Sequence, residues 1–375
     1  MSHSAGSCSQ ASEAKAKGKP KCRQSPSGER SEAEAKGEPK CRQSLLGERS
    51  ESLRGEAPAA LPLEGALSPI NCMDEFLSFL ERCELCPRKC GVNRLAGGIG
   101  FCGAGSECVV AHYGPHFGEE PPISGLRGSG TIFFSPCNMR CIFCQNYQIS
   151  QNTSGKGASV KGLVDIFFDL KEKGVHNINL VSPTPYAPLI ALAIRTARGA
   201  GFDIPFLYNT GAYEERETIR FLKGLIDIYL PDLKYSSDGV AKKLSAAPLY
   251  PVAARGAILE MHAQVGDLSV VDGIARKGLL IRHLVLPGGL AGTRSMISWV
   301  ESNLGRNTAI SLMSQYHPMY RAREHPLISR RIREDEYHPL VEILAGRGFE
   351  NVYLQEMESA ESYLPDFKKK RPFQE

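Results

Sequence analysis

Beyond Thr131 the chain alternates between short apolar runs and longer stretches of helical period. The runs are TIFFS (131–135), INLVS (178–182), PFLYNT (205–210), DIYLPDL (227–233), LLIRHLVLP (279–287), AISLMSQY (309–316) and VYLQ (352–355). Between them, helices are predicted at roughly 160–174, 186–200, 213–223, 250–264, 293–304 and 337–347. Apolar runs bounded by turn residues read as strands, and their alternation with helices predicts parallel strands joined by crossovers. Six or more such units fit an α/β barrel or an open part-barrel. A doubly wound sheet has the same alternation. In a barrel, catalytic side chains gather at the C-terminal ends of the strands.

The rest of the chain has a different texture. Residues 1–62 are polar and carry a tandem repeat: Ser12–Arg30 recurs as Ser31–Arg49, a period of 19 residues with four positions changed. So few large apolar residues cannot bury a core, so this tail is expected to be disordered, with Cys22 and Cys41 as passive thiols. Residues 69–125 open with a short helical pattern and then break into Gly- and Cys-rich turns. The barrel is assigned to 126–358, and 359–375 reads as a basic C-terminal tail.

Composition narrows the function classes. No run of eighteen apolar residues occurs, so no membrane span is expected. Met1–Gln10 lacks the apolar centre of a secretory signal. The formal charge is +4, but residues 1–60 carry +3 of it, which leaves no case for a nucleic-acid groove on the barrel. All twelve cysteines lie at or before Cys144. Clustering at short spacing points to metal or cluster ligation in a reducing compartment, so a cytoplasmic location is expected.

Cys137, Cys141 and Cys144 follow the first predicted strand in a CxxxCxxC spacing, on the loop at the barrel mouth. Structural zinc wants four protein ligands, and no cysteine follows these three. Three thiolates on a four-iron cube leave one iron open, which makes a reactive site rather than a structural one.

This motif resembles the radical S-adenosylmethionine (SAM) superfamily. Together with CPRKCGVNR, HFGEEPPISG, DIYLPDLKY and IRHLVLPGG, it resembles the uncharacterised iron–sulfur relatives of pyruvate formate-lyase activating enzymes, over roughly Cys83 to Gln355. The resemblance implies a partial (β/α)6-type TIM barrel and a [4Fe–4S] cluster held by Cys137, Cys141 and Cys144. It implies reductive cleavage of SAM to methionine and a 5′-deoxyadenosyl radical, with hydrogen abstraction from a substrate such as a glycine of a partner protein. The electron would come from a low-potential donor such as a flavodoxin or ferredoxin. Activating enzymes proper carry Gly-Gly-Glu after the second strand. Here that place reads NLVSPTPY, and the relatives' Ser-Gly is replaced by Gly211-Ala212.

The same resemblance gives Phe143 the position that packs on the SAM adenine. Asp232 and Lys234 end the fourth strand pointing the same way, placed to steer SAM. Arg282 and His283 lie on opposite faces of the fifth strand, and His283 is favoured as the inward one. Asn179 and Asn209 are polar residues in apolar strands and are expected to donate hydrogen bonds to SAM. Gln315 and Tyr316 are placed at the substrate mouth. His112, His116, Glu119 and Glu120 read as a linker rather than as metal ligands, given the prolines around them.

Cys83, Cys86, Cys90 and Cys102 form a second constellation, spaced by turn residues. An auxiliary Fe–S cluster and a structural zinc both fit four thiols, and reduced thiols without metal are a third reading. Cys72 and Cys108 read as small apolar residues. A rival to the enzyme is a non-catalytic metal or redox module acting through protein contacts; such a module should close its ligand set, which the Cys137 triplet does not.

Overall fold

The computed structural model describes residues 76–357, 364–369 and 371–373. The repeat-bearing tail, with Cys22, Cys41 and Cys72, lies outside the described residues. Residues 76–81 form α1. A turn-rich stretch with four cysteines leads to β1 (Cys108–His116), α2 (Pro121–Ser124) and β2 (Ser129–Phe134). There follow α3 (Tyr147–Ser150), β3 (Lys156–Ala158), α4 (Val160–Glu172), β4 (Ile178–Val181), α5 (Ala187–Gly199), β5 (Phe206–Thr210), α6 (Arg216–Phe221) and β6 (Ile228–Pro231). The chain continues with α7 (Asp238–Ser245), α8 (Tyr250–Val265), β7 (Ser269–Val271), β8 (Ile274–Leu284), α9 (Thr293–Asn303), β9 (Ala309–Met313), α10 (Glu334–Gly346) and β10 (Val352–Leu354).

The strands form one sheet in the order β10-β9-β8-β6-β5-β4-β2-β1-β3, with β7 paired only to β8. The seven apolar runs of the sequence are the seven parallel strands, neighbours in chain order from β2 to β10. The path has two ends and does not close, so the fold is an α/β part-barrel. All six residues of β2 are buried, as a parallel strand covered on both faces requires. Outward residues such as Leu180, Tyr208 and Ile281 join the large core under the helices. Inward residues Leu207, Ile228, Leu230, Leu280 and Ala309 pack round Ile123 of α2 in a second, smaller core. That short helix therefore plugs the lower interior and leaves the upper interior, at the C-terminal strand ends, for the site.

Several elements depart from the sequence pattern. β1 lies in the cysteine-rich stretch, yet it pairs antiparallel with β2 in the same sheet and with β3 at its other side. The helix expected at 213–223 is only α6, while α7 and the β7–β8 hairpin add structure between predicted runs. The described residues of the basic C-terminal stretch pack on the barrel. Phe373 stacks on Phe133 at 5.3 Å and meets His116 at 4.4 Å, and Phe367 N–H donates to Gln148 Oε1 at 2.6 Å. Among the described residues, no helix is long and apolar enough to cross a membrane.

Gly278 is where β8 passes from its hairpin into the parallel sheet. Its φ is +121°, and a Cβ there would lie 2.3 Å from the Asp267 carbonyl oxygen. Gly278→Ala combines this clash with a disfavoured backbone and should cost about 1–3 kcal/mol. A urea midpoint unchanged from wild type would contradict this account.

Candidate cofactor cavity

The loop from β2 to α3 carries Cys137, Cys141 and Cys144, and its path is fixed by hydrogen bonds to distant elements. Cys137 N–H donates to Ser150 O, Arg140 N–H to Ser245 O, and Ile142 N–H to Leu244 O. The Tyr186 hydroxyl donates to Ser135 O at 2.7 Å, and Ser135 Oγ donates to Ile149 O at 2.7 Å. These contacts turn all three thiols toward one cavity of about 600 Å³ above the inner core. That volume is in the range that encloses a small-molecule ligand.

Each sulfur has a polar neighbour. Ser245 Oγ donates to Cys141 Sγ at 3.0 Å and Ser150 Oγ to Cys144 Sγ at 3.2 Å. Met139 N–H donates to Cys137 Sγ at 3.5 Å. Burial pushes all three thiols up, Cys144 to about 12. Donors of this kind tune the potential of an iron–sulfur centre by stabilising charge on sulfur. Among the described residues, no group of three or more His, Cys, Asp or Glu side chains stands in single-ion coordination geometry. The two cysteine groups share a different property: each lines a cavity of its own.

Opposite the thiols lie two charged groups, a Lys–Asp pair and an arginine between two glutamates. Lys234 Nζ donates to Asp232 Oδ2 at 2.5 Å, and both line the cavity. Burial alone would lower the Lys234 pKa, but Asp232 beside it holds it above the ordinary lysine range. Deeper in, Arg282 Nε donates to Glu120 Oε1 at 2.8 Å, its Nη2 to Glu120 Oε2 at 2.5 Å, and Nη2 also to Glu119. Burial pushes Glu120 up, but Arg282 outweighs it and holds the carboxyl below its usual value. Glu119 and Glu120 are therefore buried site residues and not a solvated linker.

The predicted site residues separate into two sets. Phe143, Asn209, Asp232, Lys234 and Gln315 line the cavity. Phe143 is buried edge-on against Tyr316, with ring centroids 5.8 Å apart. His283 does not reach the cavity. It is fully buried with Nδ1 on Leu233 O at 2.5 Å and Nε2 on Thr293 Oγ1 at 2.9 Å, and burial pushes it down to about 4. Its neighbour Arg282 takes the inward place. Asn179 also lies off the lining: its Nδ2 donates to Glu119 Oε1 at 2.8 Å, so that donor is already engaged. The Asn179 oxygen is buried without a partner.

The two loops that depart from the activating-enzyme pattern border the cavity, and each holds a non-glycine residue in the left-handed region, Ser182 (φ 58°) and Ala212 (φ 57°). Such strain clusters at sites where the surroundings dictate the backbone. Glu214 lies just behind them. Its Oε1 accepts from Thr184 Oγ1 at 2.6 Å and Thr210 Oγ1 at 2.5 Å, its Oε2 has no hydrogen-bond partner among the described residues, and burial raises it to about 7. No sequence motif marks Glu214, Ser245 or Ser150: Ser245 reaches Cys141 across 104 residues and Thr184 reaches Glu214 across 30, while Thr210 and Cys144 lie near Glu214 and Ser150 in the chain without a recognisable pattern.

No family model matches the chain. It is 29% identical over 284 residues to the uncharacterized protein MJ0674 of Methanocaldococcus jannaschii, covering 74% of this chain and 78% of that one. The uncharacterized protein MJ0808 of the same organism is 25% identical over 266 residues, covering 65% and 73%. Solved structures similar to the chain include the FeFe-hydrogenase maturase HydG from Carboxydothermus hydrogenoformans, with a TM-score of 0.42 and 17% identity, covering 59% of this chain and 53% of that one. Streptococcus suis SuiB bound to S-adenosylmethionine gives a TM-score of 0.42 and 12% identity, covering 62% and 52%. A radical SAM methyltransferase from Sphaerobacter thermophilus gives 0.41 and 13%, covering 60% and 65%. The chain thus spans about half the length of HydG and SuiB.

Arg282→Ala strands two buried carboxylates and should cost about 3–5 kcal/mol near neutral pH. In the wild type, the folded-state pKa of Glu120 is depressed, so its contribution is present above the unfolded value and lost as pH falls through the folded one. In the variant, burial acts on the carboxyls without the cation, so stability should rise as pH falls toward about 5. Urea midpoints that fall in parallel for both proteins would refute the pairing. Glu214 has the opposite sign: its raised folded value near 7 means that wild-type stability declines as pH climbs from the ordinary 4.5. Glu214→Gln should therefore be more stable than wild type above pH 7, by roughly 2–3 kcal/mol, and the gap should close at low pH.

Proposed function

We propose that the protein is a radical SAM enzyme, with Cys137, Cys141 and Cys144 holding a [4Fe–4S] cluster and SAM bound in the same cavity. The observation that carries the reading is the incomplete ligand set: three thiols, Cys141 buried and Cys137 and Cys144 half-buried, line one wall of a cavity at the C-terminal strand ends, with charged side chains on the other side. When bound, such a cluster supplies one electron to SAM, which parts into methionine and a 5′-deoxyadenosyl radical.

The chain's own residues bind, orient and shield. SAM carries a carboxylate, an ammonium and a sulfonium. Lys234 offers a cation to the first and Asp232 an anion to the others, side by side. Phe143 and Asn209 give an aromatic ring and an amide on the same lining. Phe133 and Phe373 add apolar cover beside His116 at the mouth, which limits water near a reactive radical. In this reading a flavodoxin or ferredoxin supplies the electron, and the substrate offers a C–H bond, such as a glycine Cα in a partner protein.

Anaerobic reconstitution with iron and sulfide, reduction, and EPR with and without SAM test the proposal. The expected result is a [4Fe–4S]⁺ signal perturbed by SAM, formation of 5′-deoxyadenosine, and loss of both in Cys141→Ala. A cluster that ignores SAM would sink the enzyme and favour the metal-module rival.

A further inference from the structure

The four upstream cysteines surround a small cavity of about 20 Å³, which also touches Arg88, Arg94, Asn138 and Thr184. They are free thiols. Backbone turns shape the ring: Cys83 N–H donates to Val92 O, Gly91 N–H to Cys83 O, and Lys89 N–H to Cys86 O. Two amides already point at sulfur, Phe101 N–H at Cys90 Sγ and Ala104 N–H at Cys102 Sγ, both at 3.5 Å. Gly100 is packed on the ring so tightly that a Cβ would lie 3.0 Å from Cys90 Sγ.

The charges around this ring are mostly positive, although Glu214, a buried carboxyl that accepts from Thr184 of the lining, stands beside it. Arg94 is 1% exposed. Its guanidinium donates to Pro185 O at 2.5 Å and to Gly105 O through two nitrogens. Arg88 donates to Asn138 O and Ala246 O, each at 2.7 Å, and its guanidinium lies 3.4 Å from the Phe101 ring centroid. Arg140 donates to Phe101 O at 2.9 Å and Cys102 O at 3.0 Å, and also to the triplet loop at Cys137 O. Every one of these acceptors is a neutral carbonyl. Among the described residues, none of the three arginines forms an ion pair with a carboxylate, although Arg282 inside the same barrel has two. A guanidinium does not lose its proton in a protein, and a buried charge without a counter-charge is strongly unfavourable. Four protonated thiols supply no counter-charge. Four thiolates on a divalent ion, or on an iron–sulfur cube, leave a net negative centre.

We propose that Cys83, Cys86, Cys90 and Cys102 hold an anionic iron–sulfur centre rather than a single ion, since they line a cavity without single-ion geometry, and that its charge is balanced by buried Arg94 together with Arg88 and Arg140. On binding, each thiol passes its proton to solvent as its sulfur joins the metal, with no electron transferred. The centre abuts the SAM-cluster loop. Asn138, next to Cys137, lines the upstream cavity, and its carbonyl holds Arg88. The upstream centre does not depend on SAM chemistry, because none of its four thiols lines the larger cavity.

Metal analysis of the full chain with Cys137→Ala, Cys141→Ala and Cys144→Ala combined tests it, since that variant keeps only the upstream ring. After anaerobic loading with iron and sulfide, or with zinc alone, the variant should retain about four irons with matching sulfide and no stoichiometric zinc. Zinc held in place of iron would overturn the cluster. Adding Cys86→Ala and Cys90→Ala should abolish retention. A triple variant that is folded by circular dichroism yet metal-free under both loadings would overturn the site, whatever 5′-deoxyadenosine assays show for the wild type. For the charge balance, Arg94→Gln in the triple variant should release metal to a chelator at least about tenfold faster. Release at the unaltered rate would overturn the role of Arg94.

Discussion

The pairing of Arg282 with Glu119 and Glu120 governs how this molecule is arranged. Arg282 comes from β8 in the second half of the barrel; the two glutamates come from the segment between β1 and α2, about 160 residues earlier. Drawing that segment inside the sheet seats Ile123 in the lower core, and the same ion cluster then forms the floor of the cavity above it. A part-barrel lacks the closed ring of strands that would fill its own interior. Here the chain before the barrel fills it, and the ion cluster holds that filling in place.

Two ways of handling buried charge occur in one domain. Inside the barrel, positive and negative side chains meet directly, as in Arg282 with its glutamates and Lys234 with Asp232. Around the upstream cysteines, three guanidiniums meet only carbonyl oxygens and aromatic faces. Carbonyl dipoles stabilise a guanidinium through hydrogen bonds but do not cancel its field. The contrast separates cations met by carboxylates from cations met by dipoles and ring faces alone.

Much of the fold was legible because parallel strands covered on both faces must be apolar throughout, and such runs are conspicuous in sequence. The seven runs were found for that reason. β1 was missed because CVVAHYGPH mixes polar residues with glycine and proline, as a strand near a sheet margin does. In the site, the thiol triplet was legible from spacing, and Asp232 with Lys234 from strand parity. Parity also required Arg282 and His283 to face opposite ways, but it could not say which faced inward. That choice depends on two glutamates remote in sequence and on the pockets that receive His283 at Leu233 O and Thr293. The proline-rich surroundings of Glu119 and Glu120 suggested an exposed linker, whereas the prolines begin a short buried helix. The hydroxyls at the sulfurs had no local signal, because Ser245 reaches Cys141 from the end of α7.

That last contact has a consequence for how the chain is made. Cys141 and Ser245 are 104 residues apart. At translation rates of about 5–20 residues per second, roughly 5–20 seconds pass between synthesis of the thiol and of the hydroxyl that caps it. Every described cysteine precedes β4, so these thiols leave the ribosome before most of the sheet exists. During that interval the nascent chain presents open sulfur ligands without a protecting core. Cellular handling of reactive thiols, by metal delivery or by reduction, therefore competes with oxidation during synthesis, and the order of residues along the gene sets the length of that contest.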